Sequence, residues 1–75
     1  MRPNPLRQRF EAHEPAIGAW LSSPCSVASE VVGRVGFDYV CIDLQHGLVD
    51  YTSAIPMLQA MGLSETTATV RVPWN

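Results

Sequence analysis

The stretch FDYVCIDLQHG, residues 37–47, decides the fold of this chain. Its apolar residues 39–42 run without interruption, which is typical of a parallel strand covered on both faces. Gln45, His46 and Gly47 follow directly. The sequence therefore predicts a buried strand with polar side chains at its C-terminal end.

Strands and helices alternate on both sides of this stretch. Residues 16–21 (AIGAWL) predict a first strand, and residues 67–72 (TATVRV), which are rich in β-branched side chains, predict a third. Apolar residues at i,i+4 spacing predict helices over residues 24–34 and 51–61. This order predicts βαβ units with parallel strands and right-handed crossovers.

Capping residues predict where the helices begin. We expect Ser23 to cap the first helix, with Pro24 at its first position, and Asp50 to cap the second. Gly33 or Gly36 would end the first helix, and Gly62 the second. The predicted apolar stripes are Val27, Ala28, Val31 and Val32 on the first helix, and Ala54, Ile55, Leu58 and Met61 on the second. Residues 1–15 form a polar lead-in, in which residues 6–12 favour a short helix.

The length of the chain limits how much of a fold it can form. Its 75 residues make one small domain or part of one. A three-stranded parallel sheet would leave two edges unpaired. Both a TIM barrel and a doubly wound sheet fit the alternation, but a barrel needs eight such units and about 250 residues. We therefore expect residues 1–75 to be the N-terminal part of one larger α/β domain, cut after its third strand.

The composition excludes several classes of partner. A net charge of −2 with 16% charged residues argues against nucleic acid or an anionic membrane as the main partner. No apolar run approaches the roughly 20 residues that span a bilayer. Cys25 and Cys41 lack the spacing of a zinc site, so we predict reduced, packed thiols and a cytoplasmic location.

The strand ends predict the functional site, because ligands bind at the C-terminal ends of strands in barrels and open sheets. Asp43 could accept a hydrogen bond from the His46 imidazole and leave its other nitrogen free to move a proton. Alternatively, Asp43 caps the following turn and His46 is a loop residue. Arg71 could bind a substrate carboxylate or form a structural salt bridge. Trp20 could line a pocket or fill the core.

Three runs of sequence resemble a known family. GAWLSSP (residues 18–24), SEVVGRVGFDYVCIDLQHG (29–47) and TVRVPWN (69–75) are similar to the N-terminal third of the HpcH/HpaI aldolases. The resemblance covers residues 16–75. It implies the first three strands and two helices of a TIM (β/α)8 barrel.

The resemblance also implies an activity, that of a class II pyruvate aldolase, which is a carbon–carbon lyase (aldehyde-lyase). It would cleave a 4-hydroxy-2-oxo acid reversibly into pyruvate and an aldehyde. His46 matches the catalytic histidine, Asp43 its carboxylate partner, Arg71 the pyruvate-binding arginine and Trp20 an aromatic residue near the pocket. Gln45, assigned to substrate binding, stands where many members have glutamate.

The cofactor and assembly follow from the same resemblance. It implies a divalent metal, Mg²⁺, Mn²⁺ or Co²⁺, whose ligands are expected beyond residue 75, so no metal ligand is assigned in this sequence. The full-length enzyme would be a homo-oligomer acting on small molecules. Two alternatives stay open: an acyl-CoA lyase of the citrate lyase beta-like superfamily, and a truncated product without activity. We expect the isolated 75-residue chain to be inactive.

Overall fold

A computed structural model describes residues 3–73 of the chain. The elements are α1 (Pro5–Glu11), β1 (Gly18–Leu21), α2 (Ser26–Gly33), β2 (Tyr39–Asp43), α3 (Tyr51–Met61) and β3 (Thr67–Arg71). The strands form one parallel sheet in the order β1-β2-β3. The predicted alternation of strands and helices is therefore confirmed, and α1 confirms the short helix predicted in the lead-in.

The central strand β2 is the most buried element. Val40 and Ile42 are fully buried, and Cys41 is 5% exposed, as the uninterrupted apolar run predicted. One side of the sheet packs on α2 and α3, where Met57 and Met61 are each 1% exposed. The core that results comprises Val40, Ile42, Leu44, Val49, Ala54, Met57 and Met61.

The start of α3 is as predicted, but the start of α2 is not. The Asp50 side chain accepts the Ser53 N–H in a reciprocal capping box, and Gly62 follows the last residue of the helix. In α2 the cap is Cys25, whose Sγ accepts the Ala28 N–H at 3.4 Å. The predicted cap at Ser23 is wrong, because the chain makes a tight turn there before it enters the helix.

Two other expectations for this segment need correction. Cys25 is exposed, so only Cys41 is a packed thiol. The residue after the end of α2, Arg34, has right-handed backbone angles. The positive φ of 113° belongs to Gly36, two residues further along the turn that leads to β2.

The helices turn partly different faces to the core from those that the apolar stripes predict, although Val32 of the α2 stripe packs against the core as predicted. Ser29 and Gly33 are the buried residues of α2, whereas Val27 and Val31 are 68% and 60% exposed. A Cβ at Gly33 would lie 3.2 Å from the sulfur of Met61 on α3. The two helices therefore approach closely at Gly33, on the side of α2 opposite to Val27 and Val31.

A similar rotation applies to α3. Ala54, Met57 and Met61 are buried, while Ile55 is 58% exposed and Leu58 is 38% exposed. Ala54 and Met61 confirm part of the predicted stripe, and Met57 takes the place assigned to Ile55. No helix within residues 3–73 is long and apolar enough to cross a membrane.

The lead-in is tied to the start of the sheet. Arg9 Nε lies 3.0 Å from Asp38 Oδ1, and Asp38 Oδ2 accepts the Ile17 N–H at 2.8 Å. At the end of α1, Glu14 N–H donates to Arg9 O, and His13 N–H donates to Phe10 O. This pair of bonds is a Schellman motif, in which His13 takes the left-handed φ of 57° that glycine usually supplies.

Candidate active site

The C-terminal ends of the three strands meet at one edge of the sheet, because all three strands are parallel. Trp20 lies on β1, and Asp43 and Arg71 are register partners at the ends of β2 and β3. Side chains two residues apart point to the same face, and Trp20 pairs with Cys41. The three side chains therefore share one face, opposite the helices, and His46 follows in the next loop.

Asp43 is the centre of this cluster, with only 2% of its surface exposed. Its Oδ1 accepts the backbone N–H groups of Gln45 and His46 at 2.9 and 3.0 Å. Arg71 Nε also donates to Oδ1, at 3.1 Å. Oδ2 accepts Arg71 Nη2 at 2.5 Å and the Trp20 indole N–H at 3.0 Å. Five donors thus converge on one buried carboxylate.

These contacts keep the pair ionised. The Arg71 guanidinium holds the pKa of the Asp43 carboxyl well below its usual range, against the opposing effect of burial. The Trp20 indole and the N–H groups of His46 and Gln45 lower that pKa further. The hydrogen bonds to Asp43 in turn raise the pKa of Arg71. A buried charge needs such compensation, and here it receives both an ion pair and a full set of hydrogen bonds.

The contact predicted between Asp43 and the imidazole of His46 is absent. Asp43 binds the backbone N–H of His46, as the capping alternative proposed. The imidazole Nδ1 lies instead 3.1 Å from Arg71 Nη2. The reason is the tight turn after β2, which directs successive backbone N–H groups at Oδ1. Arg71 forms a salt bridge with Asp43, which is the structural role that the sequence analysis gave as the alternative to binding a substrate carboxylate.

Trp20 and Gln45 have different positions in the site. Trp20 is 51% exposed, so it does not fill the core. The Cζ atom of Arg71 lies 5.2 Å from the centre of the indole ring, within the range of a cation–π contact. Gln45 is half-buried, and its contact with the cluster is made by its backbone N–H.

Gly47 is a residue of this site to which the sequence analysis assigned no role. A Cβ there would lie 2.7 Å from the Asp43 carbonyl oxygen and 2.9 Å from Ser22 Cα. The next residue, Leu48, donates its N–H to Ser22 O at 2.7 Å, and Leu44 donates to Arg71 O at 3.0 Å. The loop over residues 44–48 is therefore hydrogen-bonded to the chain at the C-terminal ends of both neighbouring strands. In the sequence, the signal for this role of Gly47 was its place directly after the histidine that follows the strand.

The described residues do not fit a metal site. Within residues 3–73, no three His, Cys, Asp or Glu side chains are grouped so that they could hold an ion. The carboxylate at the sheet edge, Asp43, is already occupied by five donors. Trp74 and Asn75, the last two residues of the TVRVPWN run, lie outside the described residues.

Comparisons with known proteins agree in sequence and in fold. The chain is 37% identical over 73 residues to 5-keto-4-deoxy-D-glucarate aldolase of Klebsiella pneumoniae, covering 97% of this chain and 28% of that protein. The aldolase of the same name from Escherichia fergusonii gives the same identity and coverage. The crystal structure of an HpcH/HpaI aldolase/citrate lyase family protein from Burkholderia cenocepacia superposes with a TM-score of 0.78 at 30% identity. That superposition covers 91% of this chain and 27% of the other.

The chain belongs to the HpcH/HpaI aldolase family. No family model matches it. Its three parallel strands and their helices match the N-terminal part of the TIM barrel in its HpcH/HpaI neighbours, which decides against a doubly wound sheet. The citrate synthase SbnG, 24% identical with a TM-score of 0.80 over 95% of this chain and 29% of its own, shares the fold. This HpcH/HpaI chain spans between a quarter and a third of the length of these relatives.

Proposed function

We propose that this HpcH/HpaI chain is the N-terminal part of a class II, metal-dependent pyruvate aldolase. The reaction is the reversible cleavage of a 4-hydroxy-2-oxo acid into pyruvate and an aldehyde. One observation carries the proposal: the ion pair of buried Asp43 with half-buried Arg71 lies beside His46 at the C-terminal ends of adjacent parallel strands. The relatives named 5-keto-4-deoxy-D-glucarate aldolase support the same class of reaction.

Arg71 is the group that we assign to the pyruvate half of the substrate. A guanidinium has five N–H donors, and the contacts to Asp43 and His46 use those of Nε and Nη2. We assign the remaining two, on Nη1, to a carboxylate or enolate oxygen of the substrate. Carbon–carbon cleavage produces negative charge on the enolate oxygen, and donors fixed in advance stabilise such charge.

His46 is the group that we assign to proton transfer. Its side chain is exposed at the sheet edge, and its Nδ1 is held by Arg71. A positioned imidazole contributes about 10²–10⁴-fold to reactions that move a proton. Trp20, half-exposed and next to the guanidinium, supplies an apolar wall for the same ligand. We assign Gln45 to substrate binding through its side-chain amide.

The metal and the assembly are part of the proposal. Since Asp43 is saturated, we infer that Mg²⁺, Mn²⁺ or Co²⁺ would be held by residues outside 3–73. We further propose that the full-length protein is a cytoplasmic homo-oligomer. The 75-residue chain, on this view, supplies the histidine and arginine but is inactive by itself.

An assay of pyruvate release tests the proposal. The full-length protein that contains this chain is given a 4-hydroxy-2-oxo acid with each of the three metals, and then with a chelator. We expect release that the chelator abolishes and that His46→Asn lowers by about 10²–10⁴-fold. The matched control is His13→Asn, which changes an exposed histidine outside the site and keeps full activity.

Three outcomes would contradict the proposal. Cleavage of an acyl-CoA thioester without cleavage of 4-hydroxy-2-oxo acids would favour the citrate lyase beta-like alternative. Equal losses in the two histidine variants would remove His46 from the chemistry. Full activity of the isolated 75-residue chain would show that the inferred metal ligands outside residues 3–73 are not needed.

A further inference from the structure

One flank of α3 is apolar and exposed. Tyr51, Ile55 and Leu58 line this flank at i,i+4 and i,i+7 spacing, and they are 67%, 58% and 38% exposed. The side of the helix opposite to its buried residues is different, because Thr52 and Gln59 there are polar. The apolar flank therefore differs in composition from the solvent-facing side of the same helix.

The outer strand β3 extends this apolar surface. Ala68 and Val70 pair with Val40 and Ile42 of the core, so they point to the same side of the sheet as the helices. Both are exposed, since β3 is an edge strand within residues 3–73. Leu58 and Ala68 line the same cavity, which places the apolar flank of α3 beside β3. The two elements thus form a groove, which we define by Tyr51, Ile55, Leu58, Ala68 and Val70.

A cavity of about 430 Å³ forms the end of this groove nearest the N-terminal edge of the sheet. Its wall comes from three separate parts of the chain, namely the end of α3, the start of β3 and the lead-in before α1. The residues that carry the argument are Pro3, Pro5, Leu58, Gly62, Thr67 and Ala68. The lead-in therefore closes one side of the groove.

The chemistry of the cavity favours an apolar side chain over a small polar ligand. Asn4, Ser64 and Thr66 are polar residues of its wall, and the side chain of each already forms a hydrogen bond with a backbone group. Ligands of parallel α/β folds bind at the C-terminal ends of the strands, which is the opposite edge of this sheet. The cavity therefore suits a protein segment.

The length and the handedness of the fold identify that segment. The chain matches the N-terminal part of a TIM barrel and covers 28% of its aldolase relative, whose own chain continues beyond the matched part. In a right-handed crossover, the helix after β3 lies on the same side of the sheet as α2 and α3, next to α3. It runs antiparallel to β3, so its last turn reaches the N-terminal edge, where the cavity lies.

We propose that this groove is the docking site of the helix that follows β3 in the full-length protein. The apolar stripe of that helix contacts Tyr51, Ile55 and Val70, and a large apolar side chain of its last turn fills the cavity against Pro3 and Pro5. The flank is exposed in the 75-residue chain and covered in the full-length protein. This inference rests on the fold, so absence of pyruvate release would leave it unchanged.

Thiol labelling of the full-length protein tests whether the groove is covered. Ile55→Cys places a thiol in the groove, and the matched control Gln59→Cys places one on the polar side of the same helix. We expect a maleimide to modify position 55 at least about tenfold more slowly than position 59, because a covered thiol reacts only when the structure opens locally. Peptide mass spectrometry locates the label, and unfolding in urea should make the two rates equal. Equal rates in the folded proteins would overturn the proposal.

Photo-crosslinking identifies the occupant without any substitution. Full-length protein produced with photo-leucine, a diazirine analogue of leucine, carries a crosslinking group at Leu58, where the groove meets the cavity. We expect crosslinks from this position to the last turn of the helix, within roughly 30 residues after residue 75. Mixed ¹⁴N- and ¹⁵N-labelled subunits distinguish crosslinks within one copy from those between copies.

The crosslinks decide the outcome even if Ile55→Cys does not fold. Crosslinks from Leu58 that reach only a second subunit would overturn the proposal, and would assign the groove to an interface between copies. Crosslinks only to another part of the same chain, or none from Leu58 while other leucines crosslink, would overturn it as well.

Discussion

Substitution of Gly47 by alanine tests whether close backbone packing holds the site loop. The new Cβ would lie 2.7 Å from the Asp43 carbonyl oxygen and 2.9 Å from Ser22 Cα, and neither backbone atom can rotate away. The loop would have to lift, which would also break the 2.7 Å hydrogen bond from Leu48 N–H to Ser22 O.

The expected cost follows from these two effects. Overpacking costs about 1–3 kcal/mol, and a lost hydrogen bond costs about 1 kcal/mol. Gly47→Ala should therefore lower the free energy of unfolding by about 2–4 kcal/mol. For a chain of this size, that corresponds to a decrease in Tm of roughly 10–25 °C.

Thermal unfolding followed by circular dichroism measures this decrease. The matched control is Gly62→Ala, at a glycine whose φ of −63° and ψ of −13° suit alanine. A Cβ at Gly62 would lie 3.3 Å from Gln59 O, a much looser contact than at Gly47, so the stability of this variant should stay within about 1 kcal/mol of the parent. A Gly47→Ala variant that melts within a few degrees of the parent would refute the argument, because it would show that the loop accommodates a methyl group without moving.

Three further predictions concern other parts of the chain. Arg71 depresses the pKa of Asp43, so the stability that the Asp43 carboxylate contributes should be present above the ordinary carboxyl pKa of about 3.9 and be lost as the pH falls below it. Urea titrations across this range should show the free energy of unfolding decline, and Asp43→Asn should flatten that decline. His13→Gly should raise the free energy of unfolding by about 0.5–1 kcal/mol, measured by urea denaturation, because the left-handed φ of 57° suits glycine; a loss of stability would contradict the role of the Schellman motif. Ile42→Ala should cost about 2–5 kcal/mol in the same assay, since its side chain is fully buried. Ile55→Ala, at a side chain that is 58% exposed, should change stability by no more than about 0.5 kcal/mol, and equal costs would mean that the described face of α3 is wrong.

Much of the candidate site follows from the sequence. The continuous apolar run before Asp43 and His46 predicts a buried parallel strand, and the β-branched run before Arg71 predicts another. Parallel strands bring their C-terminal ends to one edge, so residue type and position along each strand predicted that these side chains, with Trp20, would lie together. The structure brings all four to that edge.

The partners within the site could not be predicted in the same way. Asp43 meets Trp20 across 23 residues and Arg71 across 28, and those contacts depend on strand register and side-chain orientation. The three-residue spacing of Asp43 and His46 suggested contact with the imidazole, but a tight turn gives Asp43 the backbone N–H instead. Local spacing does not determine which of two donors on one residue reaches an acceptor.

The sequence by itself determined the order of the elements, the burial of β2 and the cap at Asp50, because these depend on local periodicity and on hydrogen bonds between near neighbours. The tertiary structure decided which faces of α2 and α3 are buried and which donors saturate Asp43. Apolar stripes predicted Val31 and Ile55 inside, yet the buried residues of α2 are Ser29 and Gly33, and Val31 and Ile55 are both exposed. The physical reason is that packing depends on the shapes of two surfaces, and one helix specifies only its own.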